Sequence, residues 1–151
     1  MSELNINTRE GQDQLKRMGV KPLPLADDLT RPYWTAARAH LLSLQHCQSC
    51  RVAIHPPREK CPQCRGSQFQ WQEEPKKGSV YSFIVDHRLM VPGFTEPYIV
   101  VQVVPDGCNE DLVRIVGNLR DCRLDQVAIG MSVEAIFEDG PEITLPQFKP
   151  A

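Results

Sequence analysis

The stretch CQSCRVAIHPPREKCPQC, residues 47 to 64, decides how this chain is read. Two residues separate the cysteines within each pair, and ten separate Cys50 from Cys61. In a Cys-x-x-Cys unit both sulfurs turn toward one point. Two facing units supply four thiolates at about 2.3 Å in a tetrahedron, the geometry that Zn²⁺ favours. Iron takes the same ligand set, so the spacing fixes the ligands Cys47, Cys50, Cys61 and Cys64 more firmly than the metal. With four thiolates and no open position, such a metal is structural and contributes folding energy instead of activating water. The loop is shorter than the roughly 15 to 20 residues of commoner double sites. The ribbon is therefore minimal, with a tight hairpin through Ile54, Pro56 and Pro57. Gly66 is expected to supply a left-handed turn after the second unit, with Val52 at the matching place after the first. His46 and His55 are expected to face solvent, since a filled tetrahedron does not need them.

Outward from this motif, the length of 151 residues allows one compact domain, or a small module attached to a modest one. Hydrophobic residues at 41% and charged residues at 24% describe a chain that folds. No apolar run approaches the roughly 18 to 20 residues of a membrane-spanning helix, and the opening MSELNINTREGQDQ lacks the apolar centre of a secretory signal. The expected location is cytoplasmic, where six cysteines serve as metal ligands or free thiols before they serve as disulfides. Through Glu74 ten Lys or Arg stand against eight Asp or Glu, a balance of +2; from Pro75 seven stand against eleven, a balance of −4. Neither half is built to hold a polyphosphate.

Upstream, residues 1–30 mix polar and isolated apolar residues and end in VKPLPLADDLT, which reads as an extended arm because Pro22 and Pro24 interrupt any helix. Residues 31–45 read as a helix. Asp28 or Thr30 is placed to cap it, Pro32 lies in its first turn, and Tyr33, Trp34, Ala37, Leu41 and Leu44 form one apolar stripe. The ribbon is assigned to 46–74. From Gly78 the period changes to two, through SVYSFIVDH, PYIVVQVVP, DLVRIVGNL and SVEAIFED. On the first of these, Val80, Ser82 and Ile84 are expected on one face, with Tyr81, Phe83 and Val85 on the other. Four or five short strands in this length suggest a small closed barrel over 75–151, since closure removes exposed edges. The tail PEITLPQFKPA is expected to be extended.

No GxSxG, HExxH, P-loop or GxGxxG occurs. Asp86 and His87 adjoin on a strand and so point to opposite faces, and nothing in the sequence pairs Cys108 or Cys122 with a base. Leu89, Met90, Val91 and Phe94 around Pro92-Gly93 form an apolar loop suited either to covering a partner or to closing the end of the barrel.

The order of parts resembles the DUF35 family over roughly residues 31 to 149. It runs from the aromatic helix through Cys47-x-x-Cys50, Pro56-Pro57-Arg58, Cys61-x-x-Cys64 with Arg65-Gly66-Ser67, and Gly78-Ser79-Val80-Tyr81-Ser82. Pro92-Gly93-Phe94, Pro97-Tyr98, Gly130-Met131-Ser132-Val133 and Leu145-Pro146-Gln147-Phe148 follow. The resemblance implies a mainly β chain: an N-terminal helix, a rubredoxin-like zinc ribbon and a C-terminal five-stranded OB-fold barrel. It also implies an accessory role beside a thiolase-like or lipid-transfer-protein-like catalytic subunit, with acyl-CoA shared between the two chains and carbon-carbon cleavage performed by the partner. Tyr33, Trp34, Leu89, Met90, Phe94 and Phe148 are then the partner-docking candidates. Arg51, Arg58, Lys60 and Arg65 are candidates for CoA phosphates, since guanidinium groups bind phosphate bidentately; the same residues also offset the thiolate charge. The competing reading is a nucleic-acid-binding zinc ribbon and OB module, which calls for a basic groove with stacking aromatics. The −4 balance after Pro75 and the few aromatics there count against it. A third reading, catalysis by Cys108 or His87, predicts activity without a partner, whereas the accessory reading predicts an inert isolated chain.

Overall fold

The computed structural model describes residues 8–151. The arm reading fails for its described part. Arg9–Arg17 form helix α1, because no proline lies between Arg9 and Lys21 and Thr8 caps the start, its Oγ accepting from the Gly11 amide at 3.1 Å. The chain is extended only afterwards, and residues 1–7 lie outside the described residues.

Helix α2, Arg31–Arg38, starts where the sequence suggests but stops early. Thr30 occupies the cap position without capping: its hydroxyl and amide both bond the Asp27 carboxylate at 2.8 Å. The helix does not reach residue 45. His40 turns left-handed at φ 58°, and from Leu42 a period of two takes over, with Leu42 and Leu44 buried against the barrel. Strand β1, Ser43–Cys47, therefore begins inside the expected helix. It is the centre of a three-stranded antiparallel sheet with β2, Ala53–Ile54, on one side and β3, Phe69–Glu73, on the other.

Five further strands close a barrel: β4, Lys77–Asp86; β5, Tyr98–Pro105; β6, Ile115–Leu119; β7, Ser132–Asp139; and β8, Thr144–Pro150. Their order β4-β5-β6-β8-β7, with a single parallel step between β6 and β8, is the topology of an OB barrel. The expected tail is thus the fifth strand. It pairs along its length with β7, from Asp139↔Thr144 to Val133↔Pro150, but meets β6 only at Leu119↔Phe148.

One core serves both lobes. Tyr33 and Leu42, Leu44 from the ribbon side join Val80, Ile99, Val101, Val103, Ile115, Val133 and Phe148 in a continuous buried cluster, which explains why so small a barrel and so small a ribbon hold together. No helix among the described residues is long and apolar enough to cross a membrane.

Candidate metal centre and adjoining groove

The two Cys-x-x-Cys turns are built alike. In the first, the Arg51 amide donates to the Cys47 carbonyl at 2.8 Å and the Cys47 amide to the Val52 carbonyl at 3.0 Å. In the second, Arg65 donates to Cys61 at 2.9 Å and Cys61 to Gly66 at 2.8 Å. The left-handed residues are Arg51 at φ 62° and Arg65 at φ 66°, one place earlier than the sequence suggested. Gly66 is needed for space instead: a Cβ there would lie 3.2 Å from Ser49 Oγ and 3.3 Å from Cys64 Sγ. Val52 at the matching place packs its side chain against Cys47, Ile54 and Cys61.

All four sulfurs lie within 4.8 Å of one another, and none is in a disulfide. Cys47 and Cys64 Sγ are 3.5 Å apart, and Cys50 and Cys61 Sγ 3.6 Å. A tetrahedron with metal-sulfur bonds of about 2.3 Å has edges of about 3.8 Å, so the donor set fits a tetrathiolate metal. The Cys50 amide donating to Cys47 Sγ holds that thiol down to about 6. The Val52 amide pulls Cys50 the same way, but burial and the neighbouring sulfurs outweigh it and push Cys50 up to about 12. A dication removes that conflict by stabilising all four thiolates together. Zn²⁺ bound here is structural: Cys47, Ile54 and Cys61 are buried around it, with Val52 and Phe69 packed alongside.

The histidines near the site are not solvent-exposed, as the sequence reading expected. His46 Nε2 is paired with Glu74, both largely buried, and Cys108 Sγ donates to the other Glu74 oxygen at 3.8 Å, a polar tie from ribbon to barrel. His55 packs its ring on Tyr33 at 4.8 Å between centroids, its amide donates to the Leu112 carbonyl at 2.9 Å, and its Nδ1 is buried without a partner. Burial pushes the His55 imidazole down to about 4, so it is neutral. Burial and the Glu74 charge push the Cys108 thiol up to about 12, which disfavours its thiolate. Asp86 is engaged by the Tyr98 hydroxyl at 2.9 Å and the Arg88 amide at 2.9 Å, and His87 is exposed.

The other residues singled out from sequence separate. Arg51, Arg58, Lys60 and Arg65 are all exposed and have no acidic partner within 4 Å among the described residues, and Arg58 lines the concavity between ribbon and barrel. Of the docking candidates, Tyr33 and Phe148 are interior, Phe148 at 1% exposure, because β8 closes the barrel and turns that ring onto Gly117. Trp34 is partly buried, edge-on to Tyr33 at 5.0 Å. Phe94 is stacked on Tyr98 at 3.8 Å under the Lys21 ammonium at 4.4 Å, so the chain's own N-terminal segment crosses it, with Leu89 half-buried nearby. Only Met90, 76% exposed, stands free.

What sequence reasoning missed is the outer face of β4, β5 and β6. A bulge between Val80 and Ser82 reverses the parity of β4, so Val80 points into the barrel while Ser82 and Ile84 point out. Two concavities follow, one of about 350 Å³ between ribbon and barrel, lined by His55, Pro56, Arg58, Pro62, Leu112 and Arg114 among others, and one of about 260 Å³ over Ile84 and Val100. They share Gln102 and Val116.

These features define a class: a tetrathiolate ribbon sharing one core with an OB barrel, the two tied by the largely buried His46–Glu74 pair and Cys108. Models of known domains match both parts and meet within β3. The ChsH2 rubredoxin-like zinc ribbon domain matches residues 34–70 and the ChsH2 C-terminal OB-fold domain residues 71–138. A DUF35 domain-containing scaffold protein of Methanocaldococcus jannaschii is 32% identical over 144 residues, covering 88% of this chain and 98% of that one. The chain belongs to the DUF35 family. A probable enoyl-CoA hydratase alpha subunit of Thermomonospora curvata is 34% identical over 142 residues, 93% of this chain and 43% of that protein. A 3-oxo-4,17-pregnadiene-20-carboxyl-CoA hydratase alpha subunit of Mycobacterium tuberculosis is 32% identical over 118 residues, 78% of this chain and 36% of that protein. The chain therefore spans about two fifths of these hydratase subunits. Among solved structures, a chain of an Ltp2-ChsH2(DUF35) aldolase superposes with TM-score 0.75 and 33% identity, over 85% of this chain and 98% of that one.

Proposed function

We propose that this chain is the noncatalytic zinc-binding OB-fold subunit of a thiolase-superfamily complex. In that complex it supports acyl-CoA binding while a thiolase-like or lipid-transfer-protein-like partner performs thiolytic or retro-aldol carbon-carbon cleavage. The observation that carries the reading is a closed tetrathiolate scaffold that matches a DUF35 chain over 98% of that chain's length. The metal is coordinatively closed, Cys108 is protonated and His55 is neutral. One relative's name carries an enoyl-CoA and another's a pregnadiene carboxyl-CoA, which favours acyl-CoA as the shared ligand and aromatic or steroid acyl groups as its range.

Within the complex the residues of this chain bind and orient. Zn²⁺ fixes both Cys-x-x-Cys turns, which hold Arg51 and Arg65 outward as contacts for CoA phosphates, while the hairpin between them places Arg58 beside the ribbon-barrel concavity. The test is co-purification of the tagged chain from its native host, with metal analysis and aldolase, thiolase and hydratase assays on the recovered complex. The expected result is a thiolase-like chain in fixed ratio, near-stoichiometric zinc, and cleavage that the isolated subunit lacks. Recovery of a metal-free monomer, or of nucleic acid in place of a protein partner, overturns the reading.

A further inference from the structure

The outward residues of three neighbouring barrel strands form a patch of unusual composition. Pairings Ser82↔Gln102, Ile84↔Val100, Val100↔Asn118 and Gln102↔Val116 place six side chains in adjacent rows, and none is ionisable in a chain that is 24% charged. Ile84 is 62% and Val116 60% exposed, where β-branched side chains on a solvent face gain nothing from packing. In OB barrels the second and third strands carry the ligand face, here β5 and β6. That face normally tracks polyanions with basic and aromatic groups, and this one has neither.

The patch is not flat or isolated. Through Gln102 and Val116 it runs into the cleft between barrel and ribbon, so a single groove passes from an aliphatic floor to a cationic end. At that end Arg58 is exposed with no acidic partner among the described residues. Arg114 is held over the Tyr81 ring at 4.0 Å with its Nε donating to the Glu110 carbonyl at 2.8 Å, and reaches Asp111 only at 4.0 Å. The far end is not cationic: Asp86 lies there, engaged by Tyr98 and the Arg88 amide.

We infer that this groove is the seat of an extended polypeptide segment of the catalytic subunit, with uncharged aliphatic or aromatic side chains over Ile84, Val100 and Val116 and a carboxylate directed to Arg58 and Arg114. The inference rests on the functional reading above for the existence of that subunit. Charge complementarity selects the occupant. The cationic end calls for an acidic group: on a second copy of the same face the carboxylates are Asp86, engaged by Tyr98 and the Arg88 amide, and Asp111, which sits beside that copy's own Arg58 and Arg114 and brings like charge with it. The barrel is closed, so attachment is through side chains and not by strand addition.

The experiment uses the complex recovered by co-purification. The subunits are separated and their affinity measured by interferometry for the unaltered chain, Ile84→Glu, Val116→Glu and Arg58→Glu. Circular dichroism and zinc content establish that each variant is folded. Placing a carboxylate on the aliphatic floor is expected to weaken binding by about thirtyfold or more, the effect of losing one well-packed anchor. Arg58→Glu is expected to weaken it by about tenfold and to reduce its salt dependence. Affinities within about twofold for both floor variants, in folded zinc-loaded protein, overturn the inference while leaving the accessory function intact. The inference is equally overturned if Ile84→Glu instead abolishes self-association of the isolated chain without changing partner affinity. Failure to recover any catalytic chain removes the functional reading and this inference with it.

Discussion

Phe148→Ala separates a core residue from a docking residue, the two roles that the C-terminal segment allows. Phe148 is 1% exposed, pairs with Ala135 on β7 and Leu119 on β6, and stands so close to Gly117 that a Cβ there would lie 3.0 Å from its ring. Its removal deletes the ring's contacts and leaves a cavity at the one point where β8 joins β6, a site that cannot collapse without opening the barrel. The expected loss is about 3 to 5 kcal/mol, a large share of the roughly 5 to 15 kcal/mol that holds a domain folded. Urea unfolding followed by circular dichroism, with zinc present throughout, should show a lower midpoint at an unchanged slope. Met90→Ala, at a side chain 76% exposed, is the control and should stay within about 0.5 kcal/mol. A Phe148→Ala chain that loses less than about 1 kcal/mol but fails to bind its partner would refute the placement of Phe148 in the core.

Gly66→Ala should weaken zinc by about tenfold in competition with a chromogenic chelator, because the added methyl presses on Cys64 Sγ and Ser49 Oγ at 3.3 and 3.2 Å; an unchanged affinity would mean the turn relaxes freely. His55 supplies a pH dependence. Its folded pKa is about 4 against an ordinary value of 6.5, so between those values the unfolded chain binds the extra proton and stability rises with pH. The shift corresponds to about 3 kcal/mol as an upper figure, fully present above pH 6.5 and lost progressively toward pH 4. His55→Phe should flatten the difference in urea midpoint between pH 5 and pH 7 relative to the unaltered chain, a comparison in which acid loss of zinc is common to both. An equal slope in the two proteins would contradict a neutral, buried His55.

The metal ligands were legible because two Cys-x-x-Cys units constrain sulfur positions through local geometry alone. The barrel was legible because four of its strands alternate or run apolar. The fifth was not, since Pro146 and Pro150 argue against a strand. They are tolerated because β8 needs its ladder on the β7 side and touches β6 only at Leu119, leaving most of its other side free of donors to satisfy. The early end of α2 was hidden by Leu41 and Leu44, whose spacing of three suits a helix, although Leu42 and Leu44 with a spacing of two carry the burial. The parity of β4 was beyond reach: one extra residue at Tyr81 moves Ile84 from the barrel interior to its surface, and no turn residue marks the bulge.

That bulge and the metal act on the same groove from opposite sides. One wall is the barrel face that the bulge turned outward. The other is the hairpin between the two cysteine turns, where Pro56, Arg58 and Pro62 line the cleft. The strand pairing of the hairpin is short, since β2 is only two residues long, but buried Ile54 and Pro57 and the His55 amide, which donates to the Leu112 carbonyl at 2.9 Å, anchor its first half. Its position is set by Zn²⁺ at both ends and by Gln45, whose side-chain amide donates to the Arg58 carbonyl at 2.9 Å and accepts from the Arg58 amide at 2.8 Å. Gln45 in turn lies on β1 between Ile54 and Trp71 and is held by the shared core. The metal therefore does more than hold a small ribbon folded: through two sulfurs at each end of an eighteen-residue stretch it fixes where Arg58 stands relative to Val116. Binding at the groove should consequently track zinc occupancy even though no ligand touches the metal, while the barrel, whose interior is apolar and closed by hydrogen bonds, retains its fold.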